Sequence, residues 1–153
     1  MSAMLNPVLE LRPMSEADFP AVMAIENDIY AFPWTLGNFR DSLAAGYCCS
    51  TYMFDAELLG YGVLMLAADE AHLLNLSVAK ARQRQGYGSM LLQRLCALAD
   101  GLGAGLVFLE VRPSNLAGVR LYERHGFEHV GIRRDYYPAQ QGREDALIFS
   151  LAL

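Results

Sequence analysis

The stretch that most restricts the fold runs from Asn75 to Ser89. An apolar run ending Asn75-Leu76-Ser77-Val78 passes through the basic segment Lys80-Ala81-Arg82-Gln83-Arg84 into Gln85-Gly86-Tyr87-Gly88-Ser89. Leu91, Leu92, Leu95, Leu98 and Ala99 then recur at helical spacing, so a strand leads through a short loop into an amphipathic helix. Gly86 and Gly88 let the backbone approach a ligand without a Cβ in the way, and the helix start offers unpaired N–H groups at the positive end of a dipole. Such a junction suits a phosphate, with Arg82 and Arg84 adding charge nearby. The same spacing also serves ordinary turns and helix ends. It lacks the Gly-x-x-x-x-Gly-Lys of a Walker loop and the third glycine of a dinucleotide fingerprint.

Around this junction the pattern alternates. Pro7 to Arg12 reads as a strand, and Ser15-Glu16-Ala17-Asp18 is a capping box opening a helix to about Tyr30 with Phe19, Val22, Met23, Ile25 and Ile29 as its apolar stripe. Phe32-Pro33-Trp34 breaks that helix, and Thr35 is placed to cap another ending near Gly46. Tyr47 to Phe54, Leu58 to Ala68 and Ala71 to Val78 form a three-strand meander, turning first at Asp55-Ala56-Glu57. After the Gly88 to Leu102 helix come a strand from Leu106 to Val111, a helix starting at Ser114 or Asn115, and strands over Phe127 to Arg133 and Asp145 to Leu151. A polar, aromatic loop from Asp135 to Glu144 joins the last two. The order β-α-α-β-β-β-α-β-α-β-β predicts an α+β fold: a mixed, mostly antiparallel seven-stranded sheet flanked by four helices, with one parallel crossover.

At 153 residues, 54% of them hydrophobic, the chain is expected to form a single domain over 1–153, burying about 70% of its extended-chain surface. The formal charge of -5 argues against a general nucleic-acid binder and suits a cationic partner. Leu58 to Ala68, the longest apolar run, is interrupted by Gly60 and Gly62 and falls short of the ~20 residues that cross a bilayer. Met1 to Pro7 lacks the features of a secretion signal, so a soluble, cytoplasmic protein with no membrane partner is expected. Cys48, Cys49 and Cys96 have no metal-ligand spacing and read as reduced thiols, and no metal is expected.

The strand order, with Gln83-x-x-Gly86-x-Gly88 between the third meander strand and its helix, resembles the GCN-five-related N-acetyltransferase (GNAT) superfamily over nearly the whole chain. Phe32-Pro33-Trp34, Leu109-Glu110-Val111-Arg112, Ser114-Asn115, Leu121-Tyr122-Glu123 and Gly126-Phe127 are similar to the RimI-type ribosomal-protein-alanine N-acetyltransferases. So are Arg133-Arg134-Asp135-Tyr136-Tyr137-Pro138 and Gly142-Arg143-Glu144-Asp145-Ala146. The resemblance implies acetyl-CoA as donor and, as acceptor, the N-terminal alanine amine of a small-subunit ribosomal protein. It puts the cofactor on Leu76, Ser77 and Val78, on Arg84, Gln85, Gly86, Tyr87, Gly88 and Ser89, and on Asn115, which also reads as a simple N-cap. An N–H aimed at the thioester carbonyl would stabilise the oxyanion by ~3 kcal/mol.

Acetyl transfer needs a neutral amine and a proton for the departing thiolate. An α-amine with pKa near ~8 costs about 1 kcal/mol to deprotonate at pH 7, against about 4.6 for lysine, so a modest base suffices. Glu110, a carboxylate closing an apolar strand, is the expected base, its pKa raised by burial; an ion pair with Arg112, on the same strand face, or with another arginine is the structural alternative. Tyr122 is the expected acid, a role that depends on the resemblance; otherwise it reads as a core tyrosine. His72, His125 and His129 are poorer candidates, and a covalent route through Cys48 or Cys49 is unnecessary when the amine attacks directly. Trp34 with the first helices, and the loop from Arg134 to Asp145, are expected to select the substrate. Glu26, Asp28, Asp135, Glu144 and Asp145 are candidates for an acidic surface facing a cationic peptide. A GNAT enzyme acting on a small free amine and a non-catalytic acetyl-CoA-binding domain are the alternatives.

Overall fold

The computed structural model describes residues 9–153. The first strand, β1, covers Leu9–Pro13. The earlier part of the expected strand and the whole Met1 to Pro7 segment, apart from its bearing on a secretion signal, lie outside the described residues.

Ser15 donates its backbone N–H to the Asp18 carboxylate at 2.8 Å, so the expected capping box forms, but it closes a 3-10 turn over Glu16–Asp18 before α1 begins at Phe19–Ile29. The buried stripe of α1 is Phe19, Val22 and Glu26. Glu26 is only 1% exposed, which removes it from the acidic surface expected of it. Thr35 caps α2 (Leu36–Ala44): its hydroxyl accepts the Asn38 N–H at 3.1 Å, while the Asn38 side chain accepts the Thr35 N–H at 2.8 Å. Beyond it come β2 (Cys48–Phe54), β3 (Glu57–Ala67) and β4 (Glu70–Val78), then α3 (Tyr87–Gly101), β5 (Leu106–Val111) and α4 (Leu116–Arg124). β6 (Glu128–Pro138) and β7 (Arg143–Ala152) complete the order.

The seven strands form one mixed sheet in the order β1-β2-β3-β4-β5-β7-β6. β1 with β2, β5 with β7 and β6 with β7 are antiparallel, and β4 with β5 is the parallel pair carried by the α3 crossover. This is the α+β fold expected, with four α-helices among the described residues. Most of the anticipated loop from Asp135 to Glu144 is strand instead. β6 runs on to Pro138 through an irregularity between Arg133 and Tyr137, and Tyr137 pairs with Glu144. The polar run Arg133-Arg134-Asp135 and the closing Pro138 obscured a strand whose partner, β7, lies across a short turn.

The chain divides into two compact units: Met1–Val63 with Asn75–Arg94, and Leu64–Leu74 with Leu95–Leu153. In the first, Phe39, Tyr52, Leu59, Tyr61, Leu91 and Leu92 are buried. In the second, Leu95, Ala99, Val107, Leu109, Phe127 and Phe149 are buried.

Candidate active site

In the first unit the expected phosphate turn is built as a donor-rich corner. After a 3-10 turn at Lys80–Arg82, Arg84 takes φ +64° and Gly86 φ +88°, and α3 starts at Tyr87. The Gly86 carbonyl accepts the Met90 N–H at 3.2 Å, opening the helical ladder. Backbone N–H groups of Gln85, Gly86, Tyr87, Gly88 and Ser89 donate to none of the described residues. A helix of 15 residues therefore presents its unpaired donors and dipole at this corner. Arg84 is exposed and forms no ion pair among the described residues. Arg82 is already committed: its guanidinium grips the Glu57 carboxylate at 2.6 and 2.8 Å. The Gln83 side chain donates to the Val78 carbonyl at 3.0 Å, and that of Gln85 to the Ala81 carbonyl at 3.0 Å. Both amides brace the loop and leave its N–H groups outward.

β4 leads into this turn with strict alternation. Ala71, Leu73, Asn75 and Ser77 are buried, while His72, Leu74, Leu76 and Val78 are half-buried. Its parallel register with β5 runs from Glu70↔Leu106 to Leu73↔Leu109, although β4 continues to Val78. The two buried polar side chains belong to a network that sequence reasoning missed. Glu26 accepts from the Trp34 backbone N–H at 2.8 Å, the Tyr61 hydroxyl at 2.7 Å and the Asn75 side-chain amide at 3.2 Å. Ser77 Oγ donates to Asn75 Oδ1 at 2.6 Å, so Tyr30 is the donor in its 2.6 Å contact with Ser77; its oxygen also lies 3.2 Å from the Leu76 carbonyl oxygen. Burial first, then the Glu26 charge, pushes the Tyr61 phenol up, and burial pushes Tyr30 up to about 12, so both remain neutral donors. A carboxylate on the buried stripe of α1 was the one signal available.

The Phe32-Pro33-Trp34 elbow is held by that Trp34 N–H and by the indole against Phe39, ring centres 5.1 Å apart. Trp34, Asn38, Asp41, Ser42, Ala45 and Tyr47 line an open cavity of about 410 Å³.

In the second unit Glu110 is 8% exposed at its side chain. Its Oε2 is hydrogen-bonded to His72 Nε2, and its Oε1 lies 3.3 Å from Arg133 Nε. Burial by itself would raise its pKa, but the hydrogen bond and charge of His72, and then Arg133, outweigh burial and hold the carboxyl below the ordinary glutamate value. The expected upward shift is therefore reversed. The arginine that pairs with Glu110 is Arg133 and not Arg112, whose Nη1 donates to the Pro138 carbonyl at 2.7 Å and to Glu144 at 3.1 Å while the guanidinium covers the Tyr137 ring. His72, set aside in the sequence, reaches Glu110 because β4 and β5 place it opposite Phe108. The two rings stack at 4.4 Å. A period of two keeps Phe108 and Glu110 on one sheet face, but the register that brings His72 there is not legible in a linear pattern.

Asn115 caps α4, its Oδ1 accepting the Gly118 N–H at 3.0 Å. Tyr122 is 8% exposed and meets Phe127 edge to face, 5.6 Å between ring centres. Glu144 also binds the Ser114 N–H at 2.9 Å, and Asp145 accepts from Arg134 and from the Asp135 N–H, so neither is a bare acid on a substrate surface. The site residues thus fall into two sets: Leu76, Ser77, Val78 and Arg84 to Ser89 in the first unit, and Glu110, Asn115 and Tyr122 in the second. Cys48, Cys49 and Cys96 are free, with burial pushing Cys49 and Cys96 up to about 11, far from reactive thiolates. Among the described residues no group of three or more His, Cys, Asp and Glu is arranged to hold a metal ion, and no helix is long and apolar enough to cross a membrane.

A family model described as the acetyltransferase (GNAT) family matches residues 11–127, which run from within β1 through α4 and include the donor-rich turn. The chain belongs to the GNAT family. Among GNAT proteins it is 38% identical over 140 residues to the [ribosomal protein bS18]-alanine N-acetyltransferase of Salmonella typhimurium, covering 92% of this chain and 95% of that one. It is 36% identical, with the same coverage, to the Escherichia coli K12 protein of that name. The crystal structure of the Escherichia coli ribosomal-protein-S18-alanine N-acetyltransferase superposes with a TM-score of 0.87 at 35% identity, covering 95% of this chain and 94% of that one. The RimI-type resemblance read from the separated motifs is therefore upheld over most of the chain.

Proposed function

We propose that this protein is a cytoplasmic N-terminal acetyltransferase, working as one catalytic domain over 1–153, that moves an acetyl group from acetyl-CoA to the N-terminal alanine amine of a small-subunit ribosomal protein. The observation that carries the reading is the row of backbone N–H groups from Gln85 to Ser89 at the start of α3, in a chain of this family. Acetyl-CoA supplies the activated acetyl group as a thioester and carries the phosphates such a turn binds.

The chain's own residues have these roles. N–H groups from Gln85 to Ser89 and the exposed Arg84 bind the phosphates. Backbone groups of Leu76, Ser77 and Val78, past the last residue of β4 in register with β5, hold the pantetheine. Asn115 keeps its amide nitrogen for the same ligand while its oxygen caps α4. Glu110 is the carboxylate of the base that frees the amine for direct attack, and Tyr122 returns a proton to the departing sulfur. An α-amine suits this chemistry, because it costs about 1 kcal/mol to deprotonate at pH 7 against about 4.6 for a lysine.

Mass spectrometry of products from an alanine-starting ribosomal peptide, run against a panel of polyamines, amino acids and aminoglycosides, tests the reading. Acetylation confined to the peptide α-amine is the expected result. Strong preference for a small amine over every peptide would overturn it. Tight acetyl-CoA binding by calorimetry with no CoA released to any amine would favour a non-catalytic binding domain.

A further inference from the structure

We infer that Glu110 does not act alone: Glu110 and His72 form one proton-accepting pair in which His72 Nδ1 takes the amine's proton and Glu110 holds the imidazole. The inference rests on the acetyl-transfer reading above.

An ionised carboxylate only accepts hydrogen bonds, so in the contact with Glu110 Oε2 it is His72 Nε2 that carries the hydrogen. In a neutral imidazole the other nitrogen is then the acceptor. Nδ1 of His72 has no hydrogen-bond partner among the described residues, and none of their fully buried side-chain nitrogens or oxygens is unpartnered. Nδ1 is consequently reachable from outside, in agreement with a side chain 15% exposed. The stack on Phe108 and the bond to Glu110 fix the ring on both sides. This is the logic by which a carboxylate sets the tautomer of a histidine base.

The surroundings disfavour a proton on Glu110 itself. Arg133, reaching over from β6, stands at Oε1, and His72 at Oε2, so protonating the carboxylate would weaken both contacts. The other groups facing it leave this unchanged. Tyr137, also from β6, is a phenol kept neutral by burial and by the Glu110 charge, and Arg112 on β5 is bound to Glu144 and Pro138. A carboxyl held below its ordinary value is a weak acceptor for an amine, whereas imidazoles change charge nearest neutral pH. In the step, one N–H bond of the ammonium breaks, its electron pair stays on nitrogen, and the proton bonds to Nδ1 directly or through one water. The imidazolium formed is stabilised by the Glu110 carboxylate and later releases its proton to solvent.

His72→Gln keeps an amide donor for Glu110 but has no nitrogen able to take a proton, and it is compared with Glu110→Gln in the full chain. Expected are a fall in kcat/KM for an alanine-starting peptide of about 100-fold or more in each variant, loss of the acid limb of the pH profile in His72→Gln, and unchanged acetyl-CoA affinity by calorimetry. Nitrogen-15 NMR of the histidines, which needs no turnover, should show the neutral ring protonated at Nε2 in the native chain and that preference lost in Glu110→Gln. A slow Glu110→Gln beside a His72→Gln with native rate and pH profile would overturn the pair and leave a lone carboxylate base. Native turnover in Glu110→Gln would instead overturn the role of Glu110 as base, and the pair with it. Should His72→Gln fail to fold, an Nδ1-protonated ring in the native protein would still refute the pair.

Discussion

Glu26 and Tyr61 meet at 2.7 Å inside the first unit, 35 residues apart in sequence, with the phenol donating to a carboxylate only 1% exposed. With Asn75 and the Trp34 N–H, three donors surround that charge, each from a different segment: β3, β4 and the elbow after α1. One buried carboxylate thus ties the Phe32-Pro33-Trp34 elbow to the strand that runs into the glycine turn before α3.

Removing that carboxylate should be costly. Glu26→Ala leaves two buried donors and one half-buried donor without their acceptor, and a loss of about 3 kcal/mol or more is expected. Tyr61→Phe deletes one charge-assisted bond and should cost about 1.5 kcal/mol. Urea unfolding measures both, and a loss below about 1 kcal/mol for Glu26→Ala would show that the network is not structural.

Gly60 should resist every replacement. A Cβ there would stand 2.4 Å from the Ser77 carbonyl oxygen and 3.3 Å from Val78 Cα, both backbone atoms that cannot swing aside. Gly60→Ala is expected to destabilise by about 1–3 kcal/mol and, by displacing the end of β4, to weaken acetyl-CoA binding. Thermal melting and calorimetry together check this; a native melting temperature with native affinity would refute it.

The turn proposed to bind acetyl-CoA separates backbone geometry from charge. Gly86→Ala meets no atom within 4 Å, so its cost is the left-handed backbone at φ +88°, about 1 kcal/mol, accompanied by weaker acetyl-CoA binding as the N–H row shifts. Arg84→Gln should lower affinity about 10-fold with little change in stability. Arg82→Gln, which breaks the pair with Glu57, should leave affinity nearly unchanged. Isothermal titration of the three variants decides, and equal losses for Arg82 and Arg84 would contradict the assignment.

Acid should unfold the protein partly through Glu110 and Glu144, the latter held down against its burial by Ser114 and Arg112. Both carboxyls bind protons less readily folded than unfolded, so the unfolded state holds more protons and stability rises with pH in this window. Their contribution is complete above the unfolded value near ~4.3 and is lost as pH falls through the lower folded values. Urea midpoints between pH 3 and 6 should therefore fall on acidification, and less steeply in Glu110→Gln. An unchanged slope in that variant would remove Glu110 from the account.

Much was legible from the residues alone. Period-two and period-3.6 patterns, the Ser15 and Thr35 caps and the glycines around Tyr87 determined the element order, the α+β class and the position of the glycine turn before α3, because each depends on neighbours within about one turn of chain. Separated motifs such as Leu109-Glu110-Val111-Arg112 carried the family. Only the tertiary structure decided who stands beside whom. It buried Glu26, gave Arg112 to Glu144 and Arg82 to Glu57, extended β6 through the supposed loop, and set His72 and Arg133 on Glu110. The physical reason is register. His72 lies 38 residues from Glu110, and only the pairing of β4 with β5 converts that separation into a hydrogen bond, reversing the effect that burial alone would have on the carboxyl.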